Sequence, residues 1–382
     1  MEVQPLKGYH VHLSKSNPNY LLSNPIIRTI SGLAMAVGFI MVIYMGPVPI
    51  FICNILSITK SFDELLQIGL KSYKCRHLWH VSTLSWFLYL LGAYAFIGQS
   101  IYDEFGHDLQ RHIFLKPIIK YHGLLCFSFY IFGLVFFVAK LDKLNYFKQY
   151  SMLGYVHLCT GVLVIPDAMS IKYFSKGLIW FLLPLITIIF NDVAAYIIGS
   201  VCGRHKLIEV SPKKTWEGFL GALMLSLVFG YSLSAFMCKF NYFLCPIKYD
   251  YSQNLFVVDQ CQIGEIFRPR IFTIAENVKI SIEPFQIHAF AFSFLASTLG
   301  PFGGFIASGF KRAYDIKDFG NTIPGHGGIL DRFDCQFLYQ AFIYFYINYI
   351  IYEPIGTVNY QGFLTKPTDK KIQFLKDSIL KI

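Results

Sequence analysis

Long stretches of this chain carry no charge, and they set its architecture. The first runs from Thr29 to Thr59. As a helix rising ~1.5 Å per residue it would reach about 46 Å, too long for one crossing of a ~30 Å hydrocarbon layer. Gly46-Pro47-Val48-Pro49 falls inside the run, so the pattern predicts a hairpin, with a re-entrant element as the alternative for its short second half. Further uncharged runs at His77–Tyr102, Tyr121–Ala139, Gly218–Cys238, Pro284–Phe310 and Cys335–Tyr352 are each long enough to cross. Gln149–Pro166 is just long enough, and Gly177–Gly203 is interrupted only by Asp192, which reads as an acid buried within a span. Apolar positions ring these segments instead of forming one stripe, as lipid-facing helices require. Tyr and Phe cluster at the run ends, as in an interfacial belt. The prediction is an all-α, polytopic integral membrane protein with about nine transmembrane helices.

Nine spans divide the chain into an amino-terminal arm at 1–28, helices over 29–190, a second helical region over 191–352 and a tail at 353–382. Loops 202–217 and 311–334 then share the side of the arm, and loop 239–283 lies opposite. The arm and segments 60–77, 140–149, 191–217 and 308–334 hold 18 Lys and Arg, against 10 in 99–120, 166–177 and 239–283. The positive-inside rule makes the first side cytosolic. The tail is discordant, because its five Lys fall on the other side. The arm lacks the early apolar segment and cleavage site of a secretory signal, so it is expected to be retained.

Composition narrows the function classes. Of 382 residues, 54% are apolar and only 15% charged, well below the ~25% of soluble domains, which excludes an ordinary soluble chain and a disordered one. The net charge of +10 raises nucleic acid as a partner, but no basic block exceeds two residues, so nucleic acid is excluded as the expected ligand. The nine Cys form no CxxC pair, and neither a zinc site nor a disulfide framework is indicated. Cys238, Cys245 and Cys261 lie in or beside loop 239–283, the one compartment that would permit a disulfide.

Polar information is densest at 308–334, where four acids, four Lys or Arg and one His fall in one stretch with no net charge. A solvated loop of paired charges is the plain reading. Against it, Asp331 and Asp334 are three apart and would share one helix face. Pro324-Gly325-His326-Gly327-Gly328 lacks bulk where backbone N–H groups could approach a phosphate. Lys311, Arg312, Lys317 and Arg332 add positive charge, a mixture suited to a divalent cation with polyphosphate. The second cluster is Asp192 with Ser211-Pro212-Lys213-Lys214-Thr215-Trp216-Glu217-Gly218. An acid within a span is costly and faces the protein interior, either for function or paired with a neighbouring cation. Ser211-Pro212 would start a helix whose first turn carries Lys213 and Lys214, a placement that suits a nearby anion. Orienting cytosolic charge is the alternative for that pair.

Ser308-x-x-Lys311-Arg312, Lys317-Asp318, Pro324-Gly325-His326-Gly327-Gly328 and Asp331-Arg332-x-Asp334 resemble the pattern of the CDP-diacylglycerol synthase, or phosphatidate cytidylyltransferase, family. Asn191-Asp192 with Ala195-Tyr196, then Ser211 to Gly218, resemble its second region, and Arg28-Thr29-Ile30-Ser31-Gly32 with Gly46-Pro47 its eukaryotic branch. The resemblance implies that CTP and phosphatidic acid give CDP-diacylglycerol and pyrophosphate with Mg²⁺, at the cytosolic face of the endoplasmic reticulum. It implies Asp331 and Asp334 as Mg²⁺ ligands with Asp318 in support. Lys311, Arg312, Lys317 and Arg332 would bind phosphates, assisted by the amides of Gly325, Gly327 and Gly328. His326 would donate to a phosphate or hold the loop. Asp192, Ser211, Lys213, Lys214, Thr215 and Ser308 would line the substrate site. No general base is needed, since the lipid phosphate is already an anion. One departure stands at Gly304, where bacterial members carry an acid, which shifts metal binding toward Asp192 or the loop acids.

Two other classes fit the bare residues: a CTP-dependent polyprenol or phytol kinase, and a transporter lined by Asp192 and the 308–334 charges. A transporter would place its polar groups near the midplane, whereas these lie at one face. The lipid bilayer is the expected environment. The residues give no basis for an oligomeric state, so a homo-oligomer stays open.

Overall fold

The computed structural model describes residues 18–75, 77–109, 114–250, 255–258, 261–275 and 278–352. Most of the arm 1–28 and the tail 353–382 lie outside the described residues. The chain forms α1 (Pro18–Met45), α2 (Pro47–Ser72), α3 (Trp79–Leu109), α4 (Leu115–Lys120), α5 (His122–Ala139), α6 (Tyr146–Phe174), α7 (Leu178–Cys202) and α8 (Trp216–Met237). A short α9 (Asn241–Leu244) and four strands follow, then α10 (Pro284–Thr298), α11 (Gly300–Ala313) and α12 (Leu330–Tyr346), which ends in a π turn at Ile347–Tyr352.

Among the described residues, six segments are long and apolar enough to cross a membrane: α3, α5, α6, α7, α8 and the α10–α11 pair. The protein is a multi-pass membrane protein, but the expected count of nine is not reached by length and composition. The apolar part of α1, Thr29–Met45, is shorter than the others. Even so, α1 and α2 run the length of the bundle. Ser31 of α1 meets the glycine loop at 324–326, while the carbonyl of Ile43 accepts a hydrogen bond from Tyr242 in loop 239–283. The chain reverses at Gly46, whose φ of 106° suits glycine, with Pro47 opening α2. α2 then returns as 26 residues and not as a short re-entrant element.

Charge-free runs mark where helices cross but not where they stop. α6 passes through Pro166 and Asp167 to Phe174, and α2 continues through the polar segment after Thr59. Both extensions are held by packing. Phe62, Leu65, Leu66 and Leu70 of α2 pack with Met152, Val156 and Leu163 of α6 in one core, and Asn54 donates to Asp167, which is 1% exposed. A second core joins α7, α10 and α12 through Trp180, Phe285, Phe292 and Tyr339. α12 contributes Leu330 and Phe337 to the first core and Tyr339 and Ile343 to the second, so it is fixed from both sides.

Loop 239–283 is more ordered than an all-α reading expects. It forms two antiparallel hairpins, β1 (Ile247–Asp250) with β2 (Leu255–Val258) and β3 (Arg270–Ala275) with β4 (Val278–Ile282). A Cys245–Cys261 disulfide brackets the first, and Cys238 is free.

Candidate active site

The site sits at the end of the bundle opposite those hairpins, where loop 203–215 meets the turn between α11 and α12. The first loop is not the helix that Ser211-Pro212 suggested. Leu207 N donates to Lys214 O and Trp216 N to His205 O, which makes a narrow hairpin-like strap. Thr215 caps α8 by accepting from Gly218 N at 3.2 Å. Glu217 holds the strap by accepting from the amides of Arg204 and His205 and from His205 Nδ1 at 2.6 Å. α7 and α8 cross without intervening bulk: a Cβ on Gly218 would fall 2.7 Å from Ala195 O and 3.0 Å from Gly199 Cα.

This strap carries Lys214 to Asp192 on α7, Nζ to Oδ1 at 3.5 Å. Asp192 is not the buried acid the sequence suggests, because its side chain is 37% exposed. Burial opposes the charge on Lys214, but the carboxylates of Asp192 and Asp334 outweigh it and raise the lysine above its ordinary value. Asp192, Lys214 and Asp334 therefore form one electrostatic group, although they come from α7, the strap and α12. A small cavity lined by Asn191, Ala195, Lys214, Thr215 and Pro301 lies beside them. Ser211 accepts from Lys214 N through its carbonyl, and Lys213 is exposed.

Asp331 and Asp334 are a turn apart on α12 but do different work. One oxygen of Asp331 takes Lys311 Nζ at 2.8 Å; the other takes the amides of Phe319 and Gly328, each at 2.9 Å. Both groups of the ion pair are buried, with side chains 12% and 4% exposed. Asp334 accepts only the amide of Cys335 among the described residues, through Oδ1 at 2.8 Å. Gly304 packs closely against this turn: a Cβ there would stand 3.2 Å from Cys335 Sγ and 3.9 Å from Asp334 Oδ2.

The glycine turn is built from inside. Ile323 N donates to Gly327 O, His326 N donates to Ile323 O, and Gly325 and Gly327 have φ of 74° and 83°. A Cβ on Gly327 would be 3.0 Å from Asp331 Oδ2. Because Gly328 N already serves Asp331, it is not the free phosphate donor that the sequence suggested. Ser31 Oγ lies 2.9 Å from His326 Nδ1, and the Arg332 guanidinium donates to His326 O at 2.6 Å. Arg312 donates to Ile316 O, whereas Lys317 and Asp318 are exposed and Ser308 is half-buried on α11.

Sequence reasoning missed Glu64. It is only 5% exposed, and it accepts from Thr322 Oγ1 at 2.6 Å and from the amides of Ile329 and Leu330 at 2.9 and 3.0 Å. Its signal was the apolar repeat at Ile58, Phe62, Leu65, Leu66 and Gly69, which turns this part of α2 inward.

Mg²⁺ needs few protein ligands, since it is usually held by one or two carboxylates together with substrate phosphates. Asp192 and Asp334 fit that demand: they offer hard oxygens and Asp334 has acceptor capacity to spare. Asp331 fits it less well, because both of its oxygens already take donors from the protein. No group of three or more His, Cys, Asp or Glu is gathered for a metal among the described residues.

The cytidylyltransferase family profile matches residues 26–350. Human phosphatidate cytidylyltransferase 2 is 40% identical over 364 residues, covering 94% of this chain and 82% of its own. Human phosphatidate cytidylyltransferase 1 is 39% identical over 357 residues, covering 92% and 77%. Phosphatidate cytidylyltransferase of Caenorhabditis elegans is 38% identical over 338 residues, covering 87% and 73%.

Proposed function

The chain belongs to the cytidylyltransferase family, and on that premise we propose that the polar end of its bundle is where CTP meets phosphatidic acid. The activity is transfer of the cytidylyl group of CTP to phosphatidic acid, giving CDP-diacylglycerol and pyrophosphate in phospholipid synthesis. The observation that carries the site is the convergence of Asp192, Lys214 and Asp334 from three separate elements.

In this reaction a phosphate oxygen of the lipid bonds to the α-phosphorus of CTP while the bond to the β-phosphate oxygen breaks. The electron pair leaves with pyrophosphate, and no proton need move. The chain's task is to bring two anions together and orient them in line. Lys214 supplies a fixed positive charge, and Lys213 and Lys317, both exposed, would receive phosphates at the rim. Asp192 and Asp334 would hold Mg²⁺, with Asp318, beside Gly327, in support. When bound, the ion would neutralise charge on the triphosphate and its leaving group. Asp331, Lys311, Arg332 and His326 keep the turn in shape.

The same reading places the site toward the cytosol, the source of CTP, and the protein in the endoplasmic reticulum membrane. The excess of Lys and Arg on that side supports it, as does a disulfide in the opposite loop. The test is purified protein in liposomes with CTP, Mg²⁺ and phosphatidic acid. CDP-diacylglycerol with equimolar pyrophosphate is the expected product. A phosphorylated polyprenol with release of CDP would instead install the kinase.

A further inference from the structure

Asp63 and Glu64 are adjacent in sequence but are turned about 100° apart around α2. Asp63 faces outward and pairs with Lys60 at 2.6 Å. Glu64 enters the bundle and ends at the amino terminus of α12. The first amides of a helix have no acceptor within it, and an apolar Ile329 at the cap position supplies none. Glu64 takes two of these donors, Ile329 N and Leu330 N, and adds the Thr322 hydroxyl. Its negative charge also suits the positive end of the helix dipole.

The loop is shaped to admit this carboxylate. A Cβ on Gly320 would lie 2.7 Å from Glu64 Oε1, and one on Gly328 would lie 2.5 Å from Oε2. Asp331 grips the opposite side of the same loop through Phe319 N and Gly328 N. Residues 319–330 are thus clamped between two carboxylates, one from α12 itself and one from a helix in the amino-terminal half.

We propose that Glu64 is a positioning residue for cytidylyl transfer, a cap supplied by α2 that fixes the glycine turn and the first turn of α12, and with it Asp334. This rests on the site reading above. Glu64 touches no substrate in the proposal; it acts through Thr322 and the amides of Ile329 and Leu330. An amide in its place would keep the shape but turn one acceptor into a donor facing a backbone N–H, a mismatch that the packed glycines leave no room to relieve.

The test uses the full chain in nanodiscs containing phosphatidic acid, with Glu64→Gln, Glu64→Asp and Thr322→Val. For Glu64→Gln, kcat per folded molecule should fall at least tenfold with KM for CTP within about threefold, because alignment and not ground-state binding is lost. Amide hydrogen exchange over 319–331 should quicken at least tenfold, with α3 and α5 unchanged. Glu64→Asp, which keeps both oxygens, should recover part of both losses. Thr322→Val, which removes one donor, should fall between wild type and Glu64→Gln. A Glu64→Gln protein that is less stable but turns over and exchanges like wild type would overturn the proposal and leave a purely structural acid. Should that variant not fold, wild-type kcat and exchange in Thr322→Val would overturn it equally. If the wild-type chain forms no CDP-diacylglycerol, the proposed function fails by itself, and unchanged exchange in Glu64→Gln would still refute the clamp.

Discussion

Replacing Lys311 with Met tests whether the first lysine of the 308–334 segment is a phosphate ligand or a structural counter-ion. The substitution keeps most of the apolar stem and removes the ammonium. In the structure that ammonium is 2.8 Å from Asp331 Oδ1 and lies over the Phe319 ring at 5.1 Å, with both charged side chains nearly closed to solvent. Removing one member of a buried ion pair costs ~3–5 kcal/mol, because the other charge stays behind without compensation. Asp331 would retain the amides of Phe319 and Gly328, which places Lys311→Met near the lower end, at about 3 kcal/mol or two factors of ten in the folding equilibrium. Asp331→Asn should cost a similar amount, since its amide group must face the ammonium or the two backbone N–H groups. The double variant removes both charges and should recover about 2 kcal/mol of the summed loss. Unfolding followed by tryptophan fluorescence in mixed micelles of increasing denaturing detergent would give the three values. If Lys311→Met unfolds within about 0.5 kcal/mol of wild type while its CTP affinity drops, the structural reading is wrong and Lys311 is a ligand.

Asp334→Asn and Asp192→Asn should each lower turnover by a hundredfold or more and raise the Mg²⁺ concentration for half-maximal rate, with normal thermal unfolding; a wild-type Mg²⁺ requirement would remove that carboxylate from the site. Lys214→Met should weaken CTP binding about tenfold, whereas Lys213→Met, at an exposed position, should have a smaller effect. The raised value of Lys214 means that its charge is present at low pH and is lost only as pH rises through that raised value. Binding titrations between pH 7 and ~9 should therefore show no lysine deprotonation, and a fall in affinity across that window would contradict the Asp192 pairing. Cys245→Ser should leave Cys261 open to a membrane-impermeant maleimide from the side opposite the site; labelling of wild-type Cys261 under non-reducing conditions would show that the disulfide is absent.

Much of this protein follows from local sequence alone. Hydrocarbon admits a chain only when its backbone hydrogen bonds close within a segment, so uncharged runs such as Tyr121–Ala139 and Gly218–Cys238 had to become the helices α5 and α8. The break at Gly46-Pro47, the polar segments at one end of the bundle and the spacing of the Asp331-Arg332-x-Asp334 motif were legible for the same reason, since each depends on neighbouring residues. Cys245 and Cys261 could be singled out by compartment, but not paired with each other.

Tertiary packing decided what each charge does. Asp63 and Glu64 look alike in sequence, yet one helical step sends the first to solvent and the second to Thr322, 258 positions away. Asp192 looked buried and proved half-exposed, while Asp167, at the edge of its run, is, like Glu64, closed inside the bundle. The paired acids of α12 shared a face as their spacing required, but only the surrounding loop could occupy both oxygens of Asp331 and spare Asp334. A charge in low dielectric must find donors or a counter-ion, and which groups are within reach depends on how helices distant in sequence pack together.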